Sequence, residues 1–327
     1  KEKDKNMVFI GKNFIVKEYE KKIIGMEMEK EKKIKSISYY EDNSEIIGDS
    51  FEFDCINYIF QKIYSVSTSK DFSIIYNLIP RQTYYWELNS DTDIYGYVKA
   101  TAEGNRRILE TGTVGNTRDL GGLKVDTDNN GTVDGTLKYG ILFRGEKLGT
   151  SSTAPTSLSI LGINEDLDLR ASSERASNEV TVGTLKQMEL KHYQIDTLHY
   201  PSNYTQTRAV VKEAMQDVVD GKIIYFHCRI GADRTGTLAY ILEGLLGVTD
   251  EDRLQDYELT FFSGLINRHR YYSTDPTSSV SKTEKFVYMY NFMKNNQEIY
   301  DWYMEGSTNT EEDDKLIENF RKAMIEK

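Results

Sequence analysis

The stretch Ile223-Ile224-Tyr225-Phe226-His227-Cys228-Arg229-Ile230-Gly231-Ala232-Asp233-Arg234-Thr235-Gly236 constrains this chain more than any other. Its apolar, aromatic opening has the composition of a strand buried on both faces. The run stops abruptly at Cys228, so the strand end delivers a thiol to the carboxyl edge of a sheet, where ligands bind in open α/β folds. Arg234 follows six residues after the cysteine, and Thr235-Gly236-Thr237-Leu238-Ala239-Tyr240-Ile241-Leu242 continues as a predicted helix. The intervening loop therefore wraps around a helix N-terminus, whose free N–H groups and dipole attract an oxyanion.

Each residue of that loop has a chemical reason to be there. A phosphate monoester needs a nucleophile in line with its leaving oxygen and donors around its equatorial oxygens. Backbone amides from Arg229 through Ile230, Gly231, Ala232 and Asp233 to Arg234 can form a concave nest of such donors. Gly231 lets the loop curl where a Cβ would clash or φ must be positive. Arg234 can present a guanidinium fork to two phosphate oxygens, which a lysine cannot do. Cys228, beside that arginine and at a helix N-terminus, is expected to react as a thiolate. Thr235 is placed to donate its hydroxyl to the sulfur, and His227 is a supporting residue. A zinc reading of His227 and Cys228 fails for lack of companions, since the chain has 4 His and 2 Cys.

The rest of the chain is read around this loop. Its 327 residues are enough for two domains. Basic residues number 41 and acidic residues 52, for a net charge of −11, which argues against a nucleic-acid or anionic-lipid binder. No window is long and apolar enough to span a membrane. Two cysteines exclude a disulfide scaffold. Residues 1–35, rich in Lys and Glu, read as a solvated surface with edge strands. From Phe51 to Val98, short β-branched and aromatic runs separated by polar residues and Pro80 predict a small antiparallel sandwich, with Cys55 as a small buried residue within it. Thr101–Thr113 reads as a linker.

Beyond the linker, strands at Ile141–Phe143, Leu167–Leu169 and Ile223–His227 alternate with helical patterns, a short piece at Leu158–Leu161 and a longer one from about Ser202 to Val219. That alternation predicts a mostly parallel sheet. Helices are expected over Asp250–Phe262, Glu284–Tyr303 and Glu311–Ile325. The fold class is accordingly an α/β domain at residues 106–327, with a central mostly parallel sheet flanked by helices, preceded by an all-β sandwich domain at residues 1–105.

The sequence from His227 to Gly236 resembles the signature of the cysteine-dependent protein tyrosine phosphatases: His-Cys, five residues, Arg, then Ser or Thr. Further motifs resemble the bacterial group of that family whose loop carries Asp-Arg-Thr. They are Asn116-Thr117-Arg118-Asp119-Leu120-Gly121-Gly122, the segment from Tyr139 to Leu148, Leu167-Asp168-Leu169-Arg170, and the segment from Asp250 to Tyr257. This group includes secreted tyrosine and lipid phosphatases, so a secreted or cell-envelope location is expected ahead of a cytoplasmic one. The outer motifs are read as scaffold, with Asp168 and Arg170 holding loops by charged hydrogen bonds. Separately, Leu78-Ile79-Pro80-Arg81-Gln82-Thr83-Tyr84-Tyr85-Trp86 resembles the tyrosine-rich corner of fibronectin type III domains.

The resemblance implies a phosphomonoester hydrolase working through a phosphocysteine at Cys228. The expected partner is a phosphorylated protein or small phosphomonoester; the partner of the first domain is unassigned. No cofactor or metal is expected, because the loop supplies the electrostatics. Two departures from the family pattern matter. The segment His199-Tyr200-Pro201-Ser202-Asn203-Tyr204 lacks the general-acid carboxylate, leaving Asp233 and Asp196 as candidates. Ala232 stands where phosphoinositide-directed members carry Lys, which favours phosphotyrosine or a simple monoester. A phosphoinositide phosphatase, a phosphate-binding module without turnover and an arsenate reductase remain alternatives. Asp126-Thr127-Asp128-Asn129-Asn130-Gly131-Thr132-Val133-Asp134-Gly135 resembles part of a calcium loop, but it reads more simply as a hairpin turn. His192, His199 and His269 have no evident partners and are read as core or surface residues.

Overall fold

The computed structural model describes residues 36–41, 61–67, 77–89, 94–190, 201–263 and 289–327. Cys55, Asp196, His192, His199, His269 and residues 1–35 lie outside the described residues. The chain divides into two compact units, Lys1–Asn105 and Arg106–Lys327.

In the first unit, β1 (Ser36–Glu41), β2 (Gln61–Ser67), β3 (Thr83–Asn89) and β4 (Ile94–Thr101) form one antiparallel sheet in the order β2-β1-β3-β4. Their Tyr, Ile, Val and Thr content suits a pleated surface. Just before β3 the chain turns through Pro80, and the Ile79 N–H donates to the Tyr84 hydroxyl at 2.7 Å, which ties the strand to the corner that precedes it.

The second unit contains β5 (Arg107–Ile108), β6 (Arg118–Asp119), β7 (Lys124–Val125), β8 (Gly135–Leu137), β9 (Leu142–Gly145) and helix α1 (Thr153–Ser159). It continues through β10 (Glu165–Asp168), β11 (Thr184–Gln187), α2 (Pro201–Val219), β12 (Ile224–His227) and α3 (Arg234–Leu245). It closes with α4 (Asp250–Leu259), α5 (Asn296–Glu305), α6 (Thr310–Met324) and β13 (Ile325–Glu326). The main sheet is six-stranded and mixed, in the order β11-β10-β12-β9-β6-β5. The strands β11, β10, β12 and β9 run parallel, and β6 and β5 complete the sheet antiparallel to their neighbours.

Strand β12 lies inside this sheet because both of its faces are apolar or aromatic. Ile224 and Phe226 pack into one cluster with Leu142, Leu167 and residues of α2, α3, α5 and α6. Tyr225 points into the opposite cluster with Phe143 and with Ala154 and Leu158 of α1. The period of two thus puts helices on both faces. Helix α3 is buried at all of its positions, which explains its largely apolar sequence. Helix α6 buries the apolar Leu316, Ile317, Phe320 and Met324 together with Asp313, with acidic residues in its first turn and Arg321 and Lys322 in its last, as the helix dipole favours.

Several boundaries differ from the sequence expectation, each for a local reason. The helix near Leu158 begins earlier, at Thr153, and the chain leaves it through Gly162 at φ +83°. The run expected as a single helix over 284–303 is interrupted at residues 293–295. There Asn295 accepts from the Glu298 N–H while the Glu298 carboxylate accepts from the Asn295 N–H, a capping box that starts α5. The acidic loop at 126–135 joins β7 to β8 as a hairpin. Its carboxylates face its own backbone: Asp126 accepts from the N–H groups of Asn130 (3.0 Å) and Gly131 (2.7 Å), and Asp134 from that of Thr127 (3.2 Å). Among the described residues no helix is long and apolar enough to cross a membrane.

The pairing of β9 with β12 requires a residue without a side chain at 145. A Cβ there would lie 2.2 Å from the Tyr225 hydroxyl and 2.8 Å from Thr117 Oγ1. The Tyr225 ring cannot swing away without losing its 2.6 Å hydrogen bond to the Glu146 carbonyl. Gly145→Ala is expected to cost about 1–3 kcal/mol of stability, read as a lowered urea midpoint. An unchanged midpoint would mean that the tyrosine can yield.

Candidate active site

Strand β12 ends at His227, and α3 begins at Arg234, so the intervening loop lies at the carboxyl edge of the sheet and the amino end of a buried helix. The tight curl of the loop rests on Gly231, at φ +69°. A Cβ there would sit 2.4 Å from the Gly145 carbonyl, so the close approach and the positive φ both demand glycine.

Cys228 is buried, and burial by itself pushes its thiol pKa up. The Thr235 hydroxyl, the N–H groups of Thr235 and Ile230 and the Arg234 charge outweigh burial, and the thiol ends below its ordinary value. The Thr235 hydroxyl is fully buried and acts on the Cys228 sulfur, lowering its thiol pKa. Behind the cysteine, His227 Nδ1 lies 3.1 Å from the Cys228 carbonyl. Its Nε2 comes within 2.8 Å of Asp166 Oδ1, a charge contact out of line for a hydrogen bond. Burial pushes the imidazole pKa down, but Asp166 outweighs this and holds His227 above its ordinary value.

Arg234 is 6 % exposed and interacts with the Cys228 sulfur. Its Nη1 and Nη2 are taken bidentately by the Glu174 carboxylate, with Nη2 at 3.0 Å from Oε1. Its Nε–H is buried and makes no hydrogen bond, so the guanidinium is gripped along one edge and keeps a donor on another. The Glu174 carboxyl lies below its ordinary pKa chiefly because Arg234 donates to it. Glu174 is in turn set by the Asp168-Leu169-Arg170 motif. Arg170 forks the Asp168 carboxylate at 2.9 and 2.7 Å, pairs with Glu179 at 2.6 Å and donates to the Glu174 carbonyl at 3.3 Å.

The residues singled out in the loop lie together. Gly231, Ala232, Asp233, Arg234 and Thr235 are buried, Ile230 is half-buried and Arg229 is exposed. Asp233 occupies the N-cap position of α3, but its side chain makes no capping bond. Asp196, the other carboxylate considered, lies outside the described residues. Among the described residues no group of three or more His, Cys, Asp or Glu side chains could hold a metal ion.

Two residues at this site escaped the sequence reading, Glu174 and Asp166. Their signals were there to be found. Asp166 and Asp168 are charged residues at alternate positions of a buried strand, which must be compensated. Glu174 follows Arg170 by four residues, at the edge where the loop residues gather.

The surroundings of Cys228 yield a direct test. Alkylation of Cys228 by iodoacetamide follows the thiolate, so its pH midpoint is expected below that of an unperturbed thiol. Thr235→Val, which removes the hydroxyl, is expected to move that midpoint up; a midpoint that stays put would show that the hydroxyl does not stabilise the anion.

A family model described as the tyrosine phosphatase family matches residues 109–310. A Cupriavidus necator protein named as a tyrosine-protein phosphatase is 27% identical over an aligned length of 186 residues that covers 48% of this chain; the chain spans 64% of the length of that relative. Among solved structures, that of P. aeruginosa TpbA in complex with pTyr is matched over 41% of this chain and 75% of its own, at 16% identity and a TM-score of 0.29. The core catalytic domain of the S. cerevisiae PP-IP phosphatase SIW14, in complex with citrate, is matched over 51% of this chain and 93% of its own, at 15% identity and a TM-score of 0.29.

Proposed function

The chain belongs to the tyrosine phosphatase family, whose pattern its residues 109–310 match, and on that premise we propose that residues 106–327 are a cysteine-dependent phosphatase domain. It hydrolyses phosphomonoesters, as a protein-tyrosine or dual-specificity phosphatase. The observation that carries this reading is the approach of a stabilised thiol at Cys228 to the Arg234 guanidinium at a helix N-terminus.

In the proposed reaction the Cys228 thiolate attacks phosphorus. An S–P bond forms and the ester P–O bond breaks, while Arg234 and the loop N–H groups hold the equatorial oxygens. Asp233 gives its proton to the leaving oxygen. Water then attacks the phosphocysteine, passes a proton to Asp233 and releases inorganic phosphate, with the Thr235 hydroxyl stabilising the departing thiolate. Arg229, Gly231 and Ala232 contribute backbone donors to the oxygens, the Ile230 N–H serves the sulfur, and His227 supports the loop from behind. Ala232 offers no cation for a second phosphate, which favours a phosphotyrosyl protein or a simple monoester over a polyphosphorylated inositol. Residues 1–105 are proposed as a separate β-sandwich domain. The antiparallel sheet and the Ile79–Tyr84 tether support that part of the reading.

Turnover of p-nitrophenyl phosphate tests the proposal. Cys228→Ser is expected to lower kcat by at least about 10⁴-fold; release that does not depend on Cys228 at any pH from 5 to 8 would overturn the reading. A general acid must be protonated, so kcat falls as pH rises through its pKa. Asp233→Asn is expected to lose that basic limb and to lower kcat by about 10²-fold; a limb that survives removes Asp233 from the role. Glu174→Gln, which loosens the grip on Arg234, is expected to raise KM by about tenfold. A KM equal to that of the parent protein would show that Arg234 orients itself.

A further inference from the structure

Three consecutive carbonyls of the loop are drawn outward. The Arg229 carbonyl accepts from the Lys147 N–H at 3.5 Å, the Ile230 carbonyl from Asn116 Nδ2 at 3.1 Å, and the Gly231 carbonyl from Arg144 Nη2 at 3.0 Å. In a planar trans peptide the C=O and the following N–H point in opposite directions. Fixing these three carbonyls on the outer wall therefore turns the N–H groups of Ile230, Gly231 and Ala232 inward. The first of them bonds the Cys228 sulfur. The other two have no partner in the described residues.

The wall is itself fixed by one buried carboxylate, Asp256 of α4. Arg118 gives Nε to Asp256 Oδ1 at 2.7 Å and Nη2 to the Asp256 carbonyl at 2.7 Å, and Arg144 Nη1 takes Asp256 Oδ2. Arg118 Nη1 also donates to Asn116 Oδ1 at 2.7 Å, which decides which end of the Asn116 amide faces the Ile230 carbonyl. Arg118, Arg144 and Asp256 are at most 3 % exposed. None of these four residues reaches the cysteine or the phosphate-binding arginine through the contacts described.

We propose that Asn116 and Arg144, locked by Arg118 and Asp256, are positioning residues that set the oxyanion-binding N–H groups of Gly231 and Ala232 by holding the preceding carbonyls from outside. The inference rests on the phosphatase reading for the use of the cradle, but not for its geometry. It separates two sets of donors that share one loop. The thiolate is served by Ile230 and Thr235, and the oxyanion by Gly231 and Ala232, so loss of the Asn116 donor acts on oxyanion binding and spares the thiolate.

The test uses the full chain and three readouts: kcat/KM on p-nitrophenyl phosphate, inhibition by orthovanadate, and the pH midpoint of Cys228 alkylation. Asn116 sits at φ 54°, so Asn116→Gly removes the donor without imposing backbone strain. It is expected to lower kcat/KM and to weaken vanadate inhibition, each by about tenfold, with the alkylation midpoint unmoved. Asn116→Asp keeps an acceptor for Arg118 but sets a carboxylate against the Ile230 carbonyl, and is expected to lose at least as much. Both constants within twofold of the parent protein in either variant would overturn the proposal. So would an alkylation midpoint that shifts together with the vanadate constant, since that marks a general collapse of the loop. A parent protein that binds vanadate without turning over substrate, and loses that binding in Asn116→Gly, would sink the phosphatase reading and leave the positioning role standing.

Discussion

A thiol placed where water hardly reaches, yet held below its ordinary pKa by the groups around it, is the constraint on which the second unit is organised. An anion buried this deeply is tolerated only if dipoles and charges compensate it. At Cys228 the compensation comes from a hydroxyl, two N–H groups and a guanidinium. Each of these must be held against its own tendency to turn elsewhere. The loop therefore sits at the start of a helix with no exposed residue, and behind it the sheet is packed on both faces.

Around that center, charge is arranged in shells of alternating sign. Arg234 is gripped by Glu174, whose backbone is held by Arg170, which is forked by Asp168. On the opposite side, Arg118 and Arg144 share Asp256. Burial alone would push the carboxyls of Asp168 and Asp256 up, but the arginines beside them hold both below the ordinary range. Such pairs contribute little net stability against a well-packed apolar replacement, yet breaking one strands a buried charge. Their value here is directional. A guanidinium with several occupied N–H groups has one orientation left.

The signature loop was legible from the sequence because its geometry is encoded locally. A buried strand, a cysteine, a glycine at positive φ and an arginine opening a helix are consecutive, and their spacing alone dictates a loop around a helix N-terminus. The α/β class was legible for the same reason, since strand and helix periodicities alternate along the chain. Helix boundaries were less so. The interruption at 293–295 comes from a capping box that competes with an otherwise continuous apolar pattern, and the period of the apolar residues does not register that competition.

By itself, the sequence determined which loop residues gather at a sheet edge and a helix N-terminus, because neighbours in the chain cannot be far apart in space. Only the tertiary structure decided what restrains them. Glu174 reaches Arg234 across 60 residues, Arg144 reaches Gly231 across 87, and Asn116 reaches Ile230 across 114. No periodicity records such distances. The contacts exist because strands from separate parts of the chain, parallel and antiparallel, are brought side by side, and each buried charge is then obliged to find a partner among whatever residues the packing places next to it.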